Sequence, residues 1–131
     1  MLEIIKDKSE ILSIIIRKKF NNNKSKFITP GNLDFQIGFL KKKEKSIINI
    51  HYHPDKTKKI KTTSEVLLIK KGKIKVSIFN LKKVLICNKI LKTGDIIMLA
   101  RCAHGFKILK DCEMIEVKQG PFKVNNKKVI S

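Results

Sequence analysis

The chain has 131 residues, the length of one domain. With 42% hydrophobic residues it can build a real core despite 31% charged ones. No apolar run is long enough for a membrane span or a signal-peptide core, which argues against a membrane protein, a secreted disulfide scaffold or a large multidomain enzyme.

In chain order, Ile4, Ile5, Lys8, Ile11 and Leu12 have near-helical spacing and predict a short N-terminal helix. Short β-branched runs follow, separated by turn signals. The predicted strands are Ile11–Arg17, Lys26–Thr29, Phe35–Leu40, Ile47–His53, Glu65–Lys70, Ile74–Leu81, Val84–Leu91, Ile96–Leu99, His104–Leu109 and Glu113–Lys118. Alternation is cleanest where Ile74, Val76 and Ile78 interleave with Lys73, Lys75 and Ser77. Lys71-Gly72-Lys73 and Thr93-Gly94-Asp95 read as turns. Residues 123–131 read as a polar tail. About ten short antiparallel strands in one domain predict an all-β sandwich or jelly-roll barrel.

The net charge of +19 points to polyanions. Yet only Arg17 and Arg101 are arginines, and the lysines are spread along the whole chain. Lys, Ile and Asn together make up nearly half of it, as AT-rich coding produces. Aromatics for base stacking are few, so no specific nucleic-acid binding is expected. The three cysteines, Cys87, Cys102 and Cys112, form no CxxC pair and fit a reduced, cytoplasmic protein. Each cysteine reads as small core filler, and Cys102, two residues from His104, is also a candidate to support that histidine from behind.

The three histidines are His51, His53 and His104. On a strand, His51 and His53 share one face. Glu65 opens the next strand and reaches the same side if the two pair. His104 begins a late strand. Three imidazoles and a carboxylate make a plausible shell for a divalent transition metal (Zn, Mn, Fe, Co or Ni) with an open position. Without a metal, His104 is the candidate catalytic base, near its unperturbed pKa. Asn49 has the parity of His51 and His53. It joins Gln36, Lys59 and Arg101 as a candidate substrate-binding residue. Ordinary surface or core roles remain open for each. Glu116 reads as an outer-face residue or a second acid.

The run His51-Tyr52-His53, then Glu65 and Gly72, resembles the first cupin motif. Gly94-Asp95 followed by His104-Gly105-Phe106 resembles the second. The connection between His53 and Glu65 is longer than in the family, and Leu99-Ala100-Arg101-Cys102-Ala103 lacks its usual Pro and Gly. Residues 11–122 are similar to small bacterial cupins grouped with WxcM-like, sugar-modifying proteins of surface-polysaccharide biosynthesis. The similarity is carried by Ile14–Arg17, Phe27–Pro30, Gln36–Gly38, Thr63–Leu67 and Ile115–Pro121. The resemblance implies one cupin-type double-stranded β-helix over residues 1–131, with a metal on His51, His53, Glu65 and His104. It also implies a homodimer and isomerase- or epimerase-like action on a sugar or nucleotide-sugar. A non-catalytic cupin that binds a small ligand or metal is the alternative, and a basic polyanion-binding protein a third.

Overall fold

The computed structural model describes residues 1–122 and 127–129, so most of the expected 123–131 tail lies outside the described residues. These residues form β-strands and no helix. Contacts divide the chain into one unit of residues 1–20 with 62–131 and another of residues 21–61.

The opening residues are a strand, correcting the expected helix. β1 (Leu2–Asp7) pairs antiparallel with β2 (Glu10–Ile16) through a tight turn in which Lys8 has φ 55°. So short a helix is marginal in water, whereas β-branched isoleucines gain by pairing in a sheet. β2 continues into β7 (Ile96–Leu99), with Ile14 opposite Met98 and Ile15 opposite Ile97. All four residues are fully buried, so these strands are covered on both faces.

β5 (Glu65–Phe79) is the spine of the sheet. β8 (Ala103–Lys118) pairs with it from end to end. On its other flank β7 takes Glu65–Leu68, and β6 (Leu85–Lys92) takes Lys73–Phe79. The strand order is β1-β2-β7-β5-β6, with β8 on β5, and the sheet curls into an antiparallel half-barrel.

Each long strand was expected as two. Lys71-Gly72-Lys73 is a corner inside β5 rather than a turn between strands. Gly72 has φ 101°, and a Cβ there would collide with the Asp111 carbonyl oxygen. Register shifts against β8 flank this point. They serve a purpose visible in the burial. Leu67 and Ile69 are buried before the corner and Ile74, Val76 and Ile78 after it, so the inward set changes from odd to even positions. Without the shift one arm would turn its apolar side to solvent. These residues form the core with Ile5, Leu12, Ile15, Leu91, Ile97, Leu99 and Cys102.

A polar knot closes the edge of the sheet. Arg17 donates from Nε to Glu3 Oε2 (2.6 Å) and from an Nη to Asp95 Oδ2 (3.1 Å) and the Ile90 carbonyl (2.6 Å). Asp95 also accepts the Lys18 and Lys92 backbone N–H groups. Lys89 pairs with Glu3 at 2.9 Å.

In the second unit, β3 (Lys26–Phe27) pairs with β4 (Gly38–Phe39). The expected strands there are shorter than predicted, and Ile47–His53 is no strand at all. Ile47, Ile48 and Ile50 are exposed, and a strand with neither a partner nor a face to bury is unstable.

Candidate functional site on the inner face of the curled sheet

His104 lies opposite Ile78 in the β5–β8 ladder. Ile78 is fully buried, so His104 stands on the inner side. The Phe106 ring shares that side, 5.5 Å from the imidazole between centroids. Glu65 opens β5 with the parity of buried Leu67 and also points inward. The curl brings the two together: His104 Nε2 and Glu65 Oε1 are 2.7 Å apart, with side chains 26% and 16% exposed.

Glu116 and Lys118 complete the cluster. Glu116 lies opposite buried Leu67, which puts it on the inner face and not the outer one. Lys118 Nζ is 3.4 Å from Glu116 Oε2. The hydrogen bond from His104 holds the Glu65 carboxyl below its ordinary value. Burial opposes this, while a hydrogen bond with Glu116 and the charges of His104 and Lys118 reinforce it. Glu116 was legible in the sequence only as a choice between faces. Lys118 carried no signal among so many lysines.

Two buried nitrogens near this end of the sheet, His104 Nδ1 and Gln119 Nε2, have no hydrogen-bond partner among the described residues. The Gln119 amide oxygen accepts the Ser64 N–H at 2.8 Å. A buried polar atom without a partner costs about 1–3 kcal/mol, so each marks a place where a ligand atom would be favourable. Cys102 is buried in the same core, and burial together with the Glu65 charge pushes its thiol up to about 12. It therefore stays protonated beside the pair and is no nucleophile.

His51 and His53 belong to the second unit and are exposed, with ring centroids 5.4 Å apart and edge to face. His51 Nδ1 bonds the Asn49 carbonyl at 2.7 Å. The shared strand face expected for Asn49, His51 and His53 does not form, because the strand does not. Lys59 is exposed in the same unit. The Gln36 amide donates to the Pro30 and Leu33 carbonyls and accepts from the Thr29 hydroxyl, which ties the turn between β3 and β4. Arg101 is half exposed, with Nε 3.5 Å from Glu10 Oε1. It borders an open cleft of about 480 Å³ between the Asp7–Glu10 turn and the Asn80–Lys82 turn.

Comparison with protein-family models, with curated proteins and with solved structures found no match. The chemistry of this site therefore rests on its own residues. In its neutral tautomer with Nε2–H donating to Glu65, the imidazole carries its lone pair on Nδ1, the arrangement that orients a histidine either as a base or as a metal ligand. Within each unit no group of three or more His, Cys, Asp or Glu side chains is gathered for a metal among the described residues. Glu65 and His104 fit an ion as a pair only if it takes the place of the proton between them.

Proposed function

We propose that this protein is a cupin-type barrel protein that binds a sugar or nucleotide-sugar and moves a proton on it through His104. The observation that supports this reading is the 2.7 Å contact between Glu65 and His104 beside an unpartnered Nδ1. Glu65 fixes the tautomer and the ring. Nδ1 then takes a proton from a hydroxyl-bearing carbon next to a carbonyl, and the electron pair moves onto the carbonyl oxygen. The proton returns to that carbon, or to the neighbouring one as the hydroxyl proton passes to the former carbonyl oxygen and the hydroxyl becomes the new carbonyl. That is isomerase or epimerase chemistry. The Glu65 carboxylate stabilises the imidazolium formed in between.

The test is deuterium incorporation. Keto-sugar nucleotides are incubated with the protein in deuterated water and followed by NMR. Exchange at the carbon next to the carbonyl is expected, falling at least about 100-fold in His104→Gln and about tenfold in Glu65→Gln. Tight binding of the same compounds without exchange would replace this reading with that of a ligand-binding cupin.

A second reading keeps a divalent metal on His51, His53, Glu65 and His104, where it would polarise a substrate oxygen. It is favoured by the carboxylate at His104, a common partner of metal-binding histidines. Elemental analysis of wild type beside His53→Ala distinguishes the two readings, since near-stoichiometric metal lost in the variant is expected only of the second. A homodimer belongs to this proposal as well. β8 has a neighbour on only one flank among the described residues, and Ile108, Ile115 and Val117 on it are about half exposed. Light scattering should then give about twice the 15.1 kDa chain mass.

A further inference from the structure

The sheet gathers lysines that the sequence scatters. Opposite Ile74, Val76 and Ile78, which point into the core, Lys73 and Lys75 point outward from β5. The pairing sets Lys110 and Lys92 on either side of Lys73, and Lys107 and Ile90 on either side of Lys75. Five ammonium groups thus occupy two adjacent rows across three strands, with strands ~5 Å apart. None of the five takes part in an ion pair among the described residues.

Like charges directly opposite one another destabilise a sheet, and no acid pairs with these five among the described residues. Glu3 and Asp95 hold Arg17, Glu10 faces Arg101, Asp7 holds Asn80, and Glu65 and Glu116 lie on the inner face. Asp111 and Glu113 stand at the corner, where Glu113 faces Lys71. An arrangement that weakens the free fold is relieved when a surface of negative charge covers it.

We propose that this outward face of β8, β5 and β6 docks onto an anionic lipid surface, with lysines on phosphate headgroups and Ile90 among them. The patch is ~10 Å wide and spread over three strands, broader than one phosphate needs. Its five cations are lysines, and the guanidinium of Arg17 at its border is held by Glu3 and Asp95, so it offers no free fork to grip phosphates of a nucleic acid in fixed geometry. It presents no aromatic ring for bases to stack on. An exposed aliphatic side chain, Ile90 at 37%, beside a polybasic cluster suits the headgroup boundary.

The experiment is co-sedimentation of the full chain with vesicles of phosphatidylcholine alone or with about one third phosphatidylglycerol, at about 0.1 M salt. One variant replaces Lys73, Lys75, Lys92, Lys107 and Lys110 by Gln. A control replaces Lys41, Lys42, Lys43, Lys56 and Lys58 by Gln and has the same net charge. Wild type should bind only the anionic vesicles. The face variant should bind them at least about tenfold more weakly and the control within about twofold. The face variant should also melt no lower than wild type, because repulsion has been removed; Lys73→Gln with Lys92→Gln and Lys110→Gln provides a milder version if it does. Equal losses in both variants, equal binding to neutral vesicles, or tighter binding to duplex DNA at the same salt would overturn the proposal.

Discussion

Glu65 and His104 sit at opposite ends of the β5–β8 ladder, where Glu65 pairs with Lys118 and His104 with Ile78, and yet their side chains meet at 2.7 Å. On a straight ribbon these ends would be roughly 40 Å apart. The contact therefore depends on the corner at Gly72, and the candidate site exists because the sheet is bent.

The corner should not tolerate a side chain. Gly72→Ala places a methyl against the Asp111 carbonyl at a φ of 101°. A loss of about 2 kcal/mol or more is expected in urea unfolding. Gly105→Ala, where a Cβ meets nothing within 4 Å, should change stability by less than about 0.5 kcal/mol.

Acid should weaken the closure of the sheet. Glu65 is held below the ordinary glutamate value of 4.5 by its hydrogen bond from His104. Glu3 is held below it by Arg17 and Lys89. A carboxylate whose pKa falls on folding contributes stability above its unfolded pKa and loses that contribution as pH drops through the folded one. Glu65→Gln should therefore be less stable than wild type at neutral pH. The gap should close as pH falls from 4.5 to below the folded pKa, read from unfolding midpoints across pH. A gap that stays constant with pH would contradict the assignment.

Asp95 should be among the costliest surface-near acids to remove. It is nearly buried, and its two oxygens serve Arg17 and the Lys18 and Lys92 backbone N–H groups. Asp95→Ala strands these donors and should cost about 3 kcal/mol. Asp95→Asn keeps one acceptor and should cost less. Thermal melts of the two variants beside wild type give the order.

The thiols should react unequally. With its thiol pushed up to about 12, Cys102 has a thiolate fraction of about one in ten thousand at pH 8. Cys112 and Cys87 are only partly buried. Burial raises the Cys87 thiol as well. Alkylation followed by mass spectrometry should label Cys112 first, and Cys102 only after denaturation.

Much of the fold is local and was legible. Alternation marked Ile74, Val76 and Ile78 as an inward row, and Ile96–Leu99 stands where its apolar run predicted a strand. Glu65 and His104 were candidates by residue type, and they meet. Whether a run becomes a strand, and where it bends, depends on partners far away in sequence. β2 made a strand of the supposed helix by offering an edge to Leu2–Asp7, while Ile47–His53 found none and left His51 and His53 exposed. The same pairing decided that lysines from three strands share one face. Side-chain chemistry and period-two patterning are properties of the sequence by itself. Register, curl and the neighbours they create arise from long-range hydrogen bonding and burial, which only the tertiary structure decides.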